Sequence, residues 1–171
     1  MISRQIVILY LVIYPNIRRF LMYFILIFFL SWIWFYKKAD KSRIQELYGV
    51  VVYTCLLAIW TDLIMVHYQL WSYHGLPQSD YSIPLLLGFG IYPVVAYLFI
   101  QGAPLHWLGV MKRTLVWTFF SVIFEWVTLI TGHIEHHKWW NLGLSLGADI
   151  LIFLSIWAVY LYYRPAYVAK A

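Results

Sequence analysis

The chain has 171 residues, of which 64% are hydrophobic and 11% charged. Soluble domains carry about 25% charged and about 45–50% apolar residues. This composition, with a mean hydropathy of +0.76, therefore excludes a sizeable soluble domain and calls for several apolar spans. The net charge of +5 does not point to nucleic acid, because the basic residues cluster at the ends of apolar runs, where topology and anionic lipid account for them.

In chain order, a basic residue, Arg4, precedes the apolar run 6–14. That run is too short to span as a helix and lacks the small-residue site of a cleaved signal. Residues 1–16 read as an interfacial or partly inserted segment, with a further span there as the alternative. The first span is expected over 17–36, closing on Trp32, Trp34 and Tyr36, rings suited to the membrane–water interface. The charge cluster KKADKSR follows. Further spans are expected over 48–67, 83–100, 114–132 and 142–163. The class is thus an all-α integral membrane bundle of five spans, with residues 17–171 forming one transmembrane domain. Cys55 is the single cysteine, so no intrachain disulfide can form.

Basic residues set the orientation. Lys37, Lys38, Lys41, Arg43, Lys112, Arg113, Arg164 and Lys170 fall on one side, and Arg4, Arg18, Arg19 and Lys138 on the other. The richer side is expected to be cytoplasmic, which puts the N-terminus outside and the C-terminus inside the cell membrane. An even number of spans would instead bring the N-terminal arginines inside.

Three acids lie within spans, where ionisable residues are costly and usually functional: Asp62, Glu125 and Asp149. On this topology all three fall in the outer half of the bilayer. Thr118, Ser121, Glu125, Thr128 and Gly132 recur at helical spacing and share one face. Cys55, Ala58, Asp62 and Met65 do the same on the second span. Gly143 and Gly147 form a small-xxx-small pair that permits close helix contact. In the third span, Pro93 cannot donate to the Phe89 carbonyl, and Gly88 and Gly90 loosen the turn before it, so a kink is expected.

His133, His136 and His137 form H-x-x-H-H. This resembles one histidine box of the membrane fatty-acid desaturases and hydroxylases, which carry several boxes around two irons. The chain has six histidines in all and supplies no second box. If 133–137 were helical, His133 and His137 would share a face and could hold one metal ion with Glu125 or Glu135. The alternative is an interfacial loop whose histidines touch water and headgroups. No cofactor is expected.

Asp62, the Trp71-Ser72-Tyr73 motif, Pro84 and Pro93, then a lone Glu125 followed by Trp139-Trp140, together resemble an uncharacterised family of small five-span membrane proteins from endospore-forming bacteria. The resemblance covers most of the chain and implies a bacterial membrane bundle without a known activity. The order Asp62, Trp71-x-Tyr73, Gly75, Ile83-Pro84 is also similar to one repeat of the membrane lycopene cyclases. In that family acidic residues follow the proline and supply proton chemistry; here Leu85, Leu86 and Leu87 stand there instead.

These features support three readings. The first is binding or transport of a small apolar or cationic ligand in a polar pocket, with Asp62, Glu125, Asp149, His133, Trp71 and Tyr73 as candidate ligand-binding residues. The second is an enzyme acting on an isoprenoid or lipid, with Glu125 as acid or base. The third is a structural subunit of a membrane complex or homo-oligomer, whose acids only fix helix packing. Membrane lipids are expected partners in all three.

Overall fold

The computed structural model describes residues 15–74 and 79–168. The interfacial segment expected over 1–16 lies outside them except for Pro15 and Asn16, which open the first helix. Helix α1 runs Pro15–Lys38, and a 3-10 turn, Lys41–Arg43, leads into α2, Ile44–His67. Strand β1, Trp71–Tyr73, is followed by α3, Ser79–Phe89, and α4, Ile91–Gln101. Helix α5 runs Trp107–Ile130, strand β2 covers Ile134–His136, and α6 runs Leu142–Val168. Proline suits the first position of α1, where a backbone N–H would have no helical partner.

Among the described residues, Lys41–His67, Asp80–Gln101, Trp107–Ile130 and Leu142–Pro165 are each long and apolar enough to cross a membrane. Their outward faces are apolar as well. Tyr48, Val52, Leu56 and Trp60 recur every fourth residue down α2 and are all exposed. Met22, Leu26, Phe29, Leu30 and Ile33 form a similar exposed stripe on α1. In water such continuous apolar surface would drive aggregation; in lipid it is the solvated face.

The core centres on α4. Val94, Ala96, Tyr97, Leu98, Phe99 and Ile100 are buried in succession, because α1, α2 and α6 all pack against this helix. The expected break in the third span falls at Gly90 (φ −103°, ψ −97°), which separates α3 from α4. A Cβ there would lie 2.5 Å from the Leu86 carbonyl oxygen and 2.9 Å from Phe28 Cδ2. Pro93 leaves the Phe89 carbonyl without its helical donor, and Trp32 Nε1 of α1 donates to that oxygen at 3.2 Å.

One end of the bundle gathers the basic residues. Arg43 forks onto Glu46 at 2.7 and 2.8 Å, and also donates to the Gln101 carbonyl at 2.7 Å and to the Tyr160 hydroxyl at 3.0 Å. This ties α2 to the ends of α4 and α6. The fourth span starts at Trp107 rather than 114. Lys112 and Arg113, read from sequence as loop, belong to the helix, and Arg113 donates to the Phe99 and Leu98 carbonyls at 2.7 Å each. It thereby serves carbonyls at the end of α4 that have no helical donor.

The other end carries the strands, which the sequence reading takes for loops. They pair antiparallel, with Trp71 opposite His136, Ser72 opposite Glu135 and Tyr73 opposite Ile134. Both approaches are alike. Helix α2 ends on Gln69 at φ 54° with Leu70 N donating to the Met65 carbonyl. Helix α5 ends on Gly132 at φ 74° with His133 N donating to the Thr128 carbonyl. Each is a left-handed cap that turns the chain sharply into a strand.

The two halves follow one plan. The bounds of α5 lie 63 residues after those of α2 at both ends, and β2 lies 63 after β1. The start of α6 lies 63 residues after that of α3. The strand register is unchanged when the two halves are exchanged by this offset, so a local twofold axis passes between Ser72 and Glu135.

Candidate functional site

Beneath the strand pair is a cavity of about 300 Å³, at the small end of the ligand-pocket range. Helices α2, α4, α5 and α6 form its walls. On α2, Thr54, Ala58, Thr61, Asp62 and Met65 line it; Thr54 stands where Cys55 was expected. On α6 the lining face is Ser145, Ala148, Asp149, Ile152, Phe153 and Ile156, spacings that keep one side of a helix. From α5 come Trp117, Phe120, Ser121, Phe124 and Glu125.

The strands roof the cavity through their alternation. Side chains two apart share a face, and antiparallel partners point the same way. Trp71, Tyr73, Ile134 and His136 accordingly all line the cavity. Ser72 and Glu135 take the outer face, where Ser72 Oγ lies 2.8 Å from His137 Nε2 and Glu135 lies 3.1 Å from His74 Nε2.

Asp62, Glu125 and Asp149 therefore line one cavity from three helices. The Tyr73 hydroxyl donates to Asp62 Oδ1 at 3.0 Å. Burial, and then the nearby Asp62 carboxyl, push the Tyr73 phenol well above its usual range, so it stays a donor. Asp62 is 3% exposed, and its Oδ2 is buried without a partner. Glu125 Oε1 accepts from Ser145 Oγ at 2.6 Å, and Ser145 Oγ accepts in turn from Trp140 Nε1 at 3.0 Å. Asp149 Oδ2 is likewise buried and without a hydrogen-bond partner.

His136 is a cavity residue that the sequence reading did not place with the acids. Its Nε2 is 2.7 Å from Glu125 Oε1, at ion-pair distance but out of hydrogen-bond alignment. Burial, and secondarily His137, lower its pKa below the usual imidazole value. The signal lies in the 63-residue offset: Tyr73 follows Asp62 by the same interval as His136 follows Glu125. Asp62 and Glu125 thus each meet a strand residue of their own half.

His133 does not join the cavity. It stacks on Tyr23 of α1 at 3.9 Å between ring centroids, and its Nδ1 lies 2.7 Å from Thr131 Oγ1. Residues 134–136 are a strand, so His133 and His137 do not share a helix face as a joint metal site would need. Among the described residues, no three His, Cys, Asp or Glu side chains lie close enough to share one ion. The polar face expected on α5 divides: Ser121 and Glu125 face the cavity, whereas Thr128 is buried 3.4 Å from the Tyr23 hydroxyl. Gly147 is exposed, and among the described residues a Cβ there would meet nothing within 4 Å. Among the described residues the close contact expected at Gly143 and Gly147 is not made, because α6 turns its Ser145–Asp149 face inward instead.

Trp34 of α1 and Phe120 of α5 line the cavity yet are 40% and 60% exposed. They mark a seam through the side of the bundle, on its apolar face. Comparison with protein-family models, curated proteins and solved structures finds no match for this chain.

Proposed function

We propose that this protein binds, and carries across or within the membrane, a small and largely apolar ligand that bears a polar group. The observation that carries this reading is the convergence of Asp62, Glu125 and Asp149 on one cavity whose remaining wall is mostly aromatic and aliphatic. Apolar pockets with a few convergent polar groups are the usual form of small-molecule sites. The seam at Trp34 and Phe120 suits a ligand that arrives from lipid. Helix α1, at 24 residues, serves as a fifth span, with the N-terminus outside and the basic end cytoplasmic. The cavity then lies in the outer half of the bilayer.

A second reading, modification of a lipid or isoprenoid, draws on the Glu125–His136 pair. A carboxyl and an imidazole 2.7 Å apart can relay a proton to a substrate.

Native mass spectrometry of protein taken directly from its host membrane tests the first reading. Ala148 lines the cavity, and Ala148→Trp fills it. A bound small molecule is expected on the wild type and absent from the variant. The same mass on both would place the ligand elsewhere. A changed lipid extract on expression, abolished by Glu125→Gln, would favour catalysis.

A further inference from the structure

We propose that the polar group of the ligand is a protonated amine. This rests on the binding reading above and narrows it to a class. Among the described residues the charge lining the cavity is one-sided: Asp62, Glu125 and Asp149 face it, and no lysine or arginine does. The other titratable groups facing it are Tyr73, Tyr92 and His136. His136 is the one potential cation among them, and burial disfavours its charged form.

The hydrogen bonding is one-sided as well. Asp62 Oδ2 and Asp149 Oδ2 are both buried acceptors with no donor, and Asp62 is all but sealed from solvent, at 3% exposed. A hydroxyl brings one proton, whereas an ammonium brings three donors and the opposite charge. An inorganic ion fits less well, because no three of these ligating groups lie close enough to share one. An amine on an apolar body can instead place its head at the acids and its body along the rings. Trp71, Trp117 and Phe124 line the same space, and aromatic rings attract cations through their π faces.

The test uses a matched pair, 4-phenylbutylamine and 4-phenylbutanol, which differ in charge but not in carbon skeleton. Each is titrated against the full chain in phosphatidylcholine nanodiscs and followed by tryptophan fluorescence, with empty nanodiscs subtracted. The amine is expected to bind about tenfold more tightly, the margin of a charged over a neutral hydrogen bond. The margin should shrink in Asp62→Asn and in Asp149→Asn. It should also shrink as pH falls, because protons compete for the same carboxylates. Equal binding of the two probes, or a margin that survives both substitutions, would overturn the amine assignment and leave the binding reading standing. Failure of both probes to bind would overturn the two together. The wild-type comparison decides the matter even where a variant does not fold.

Discussion

The Tyr73 hydroxyl reaches Asp62 Oδ1 at 3.0 Å, joining the Tyr73–Ile134 pair of the strand roof to the helix that leads into it. Tyr73→Phe removes the donor and leaves a fully buried carboxyl with neither oxygen satisfied. We expect a loss of about 1 kcal/mol, within the range for side-chain hydrogen bonds in membranes. Asp62→Leu in the Tyr73→Phe background should recover part of it, since no buried acceptor is then left unpaired. Thermal melts of the wild type and the two variants check this. A Tyr73→Phe protein as stable as wild type would show that the bond contributes nothing.

Glu125 has a different pair of neighbours. Glu125→Gln retains an acceptor for Ser145 and nearly the same shape, so the variant should fold close to wild type. Glu125→Leu strands the Ser145 hydroxyl and should cost about 1–2 kcal/mol. Equal stability of the leucine variant would strip Glu125 of any packing role. Equal ligand binding as well would remove it from the site.

His136 gives a pH dependence whose sign is fixed by its environment. Burial, then His137, lower its pKa in the folded protein below the ordinary 6.5. Between the lowered value and 6.5 the unfolded chain binds the proton more readily, so stability is lost as pH falls through that window. Above it, the contribution of His136 is constant. A melting series from neutral to acid should therefore drop more for wild type than for His136→Gln. Parallel curves would exclude His136 as the source.

The orientation can be read by labelling. In a Cys55→Ala background, a cysteine at Asn141 should react with an impermeant thiol reagent in intact cells, and one at Ser42 should not. The reverse pattern would invert the topology and move the cavity to the inner half of the bilayer.

Much of the helical plan was legible because apolar length and in-span acids are strong signals. Asp62, Glu125 and Asp149 stood out because lipid makes each costly, and all three reach the cavity. The ends of elements were harder. Arg113 looked like loop because it is charged, yet its side chain turns back to the carbonyls of Leu98 and Phe99. Strands of three residues carry too little alternation to be recognised, so in the sequence Ile134 and His136 look like parts of an interfacial loop. The repeated plan was hidden for a related reason. Its equivalent pairs, Asp62–Tyr73 and Glu125–His136, match in placement but not in residue type, and Leu86 stands at the counterpart of Asp149.

The strand pair has a consequence for how the protein is made. Its two halves meet only after the whole of α5 has been synthesised, and Asp149 arrives later still, on α6. A chain built from its N-terminus must therefore hold Asp62 in the membrane before Glu125, Asp149 or the roof exist to surround it. Only the first strand, with Tyr73, follows closely enough to provide an early donor. An acid at a span centre costs about 2.5–3.5 kcal/mol on insertion; Asp62 lies nearer the His67 end of α2 and costs less, and α2 carries that cost nearly alone during biogenesis. Its apolar stretches 50–52, 55–60 and 63–66 are what keep the nascent helix in the bilayer until the later helices arrive.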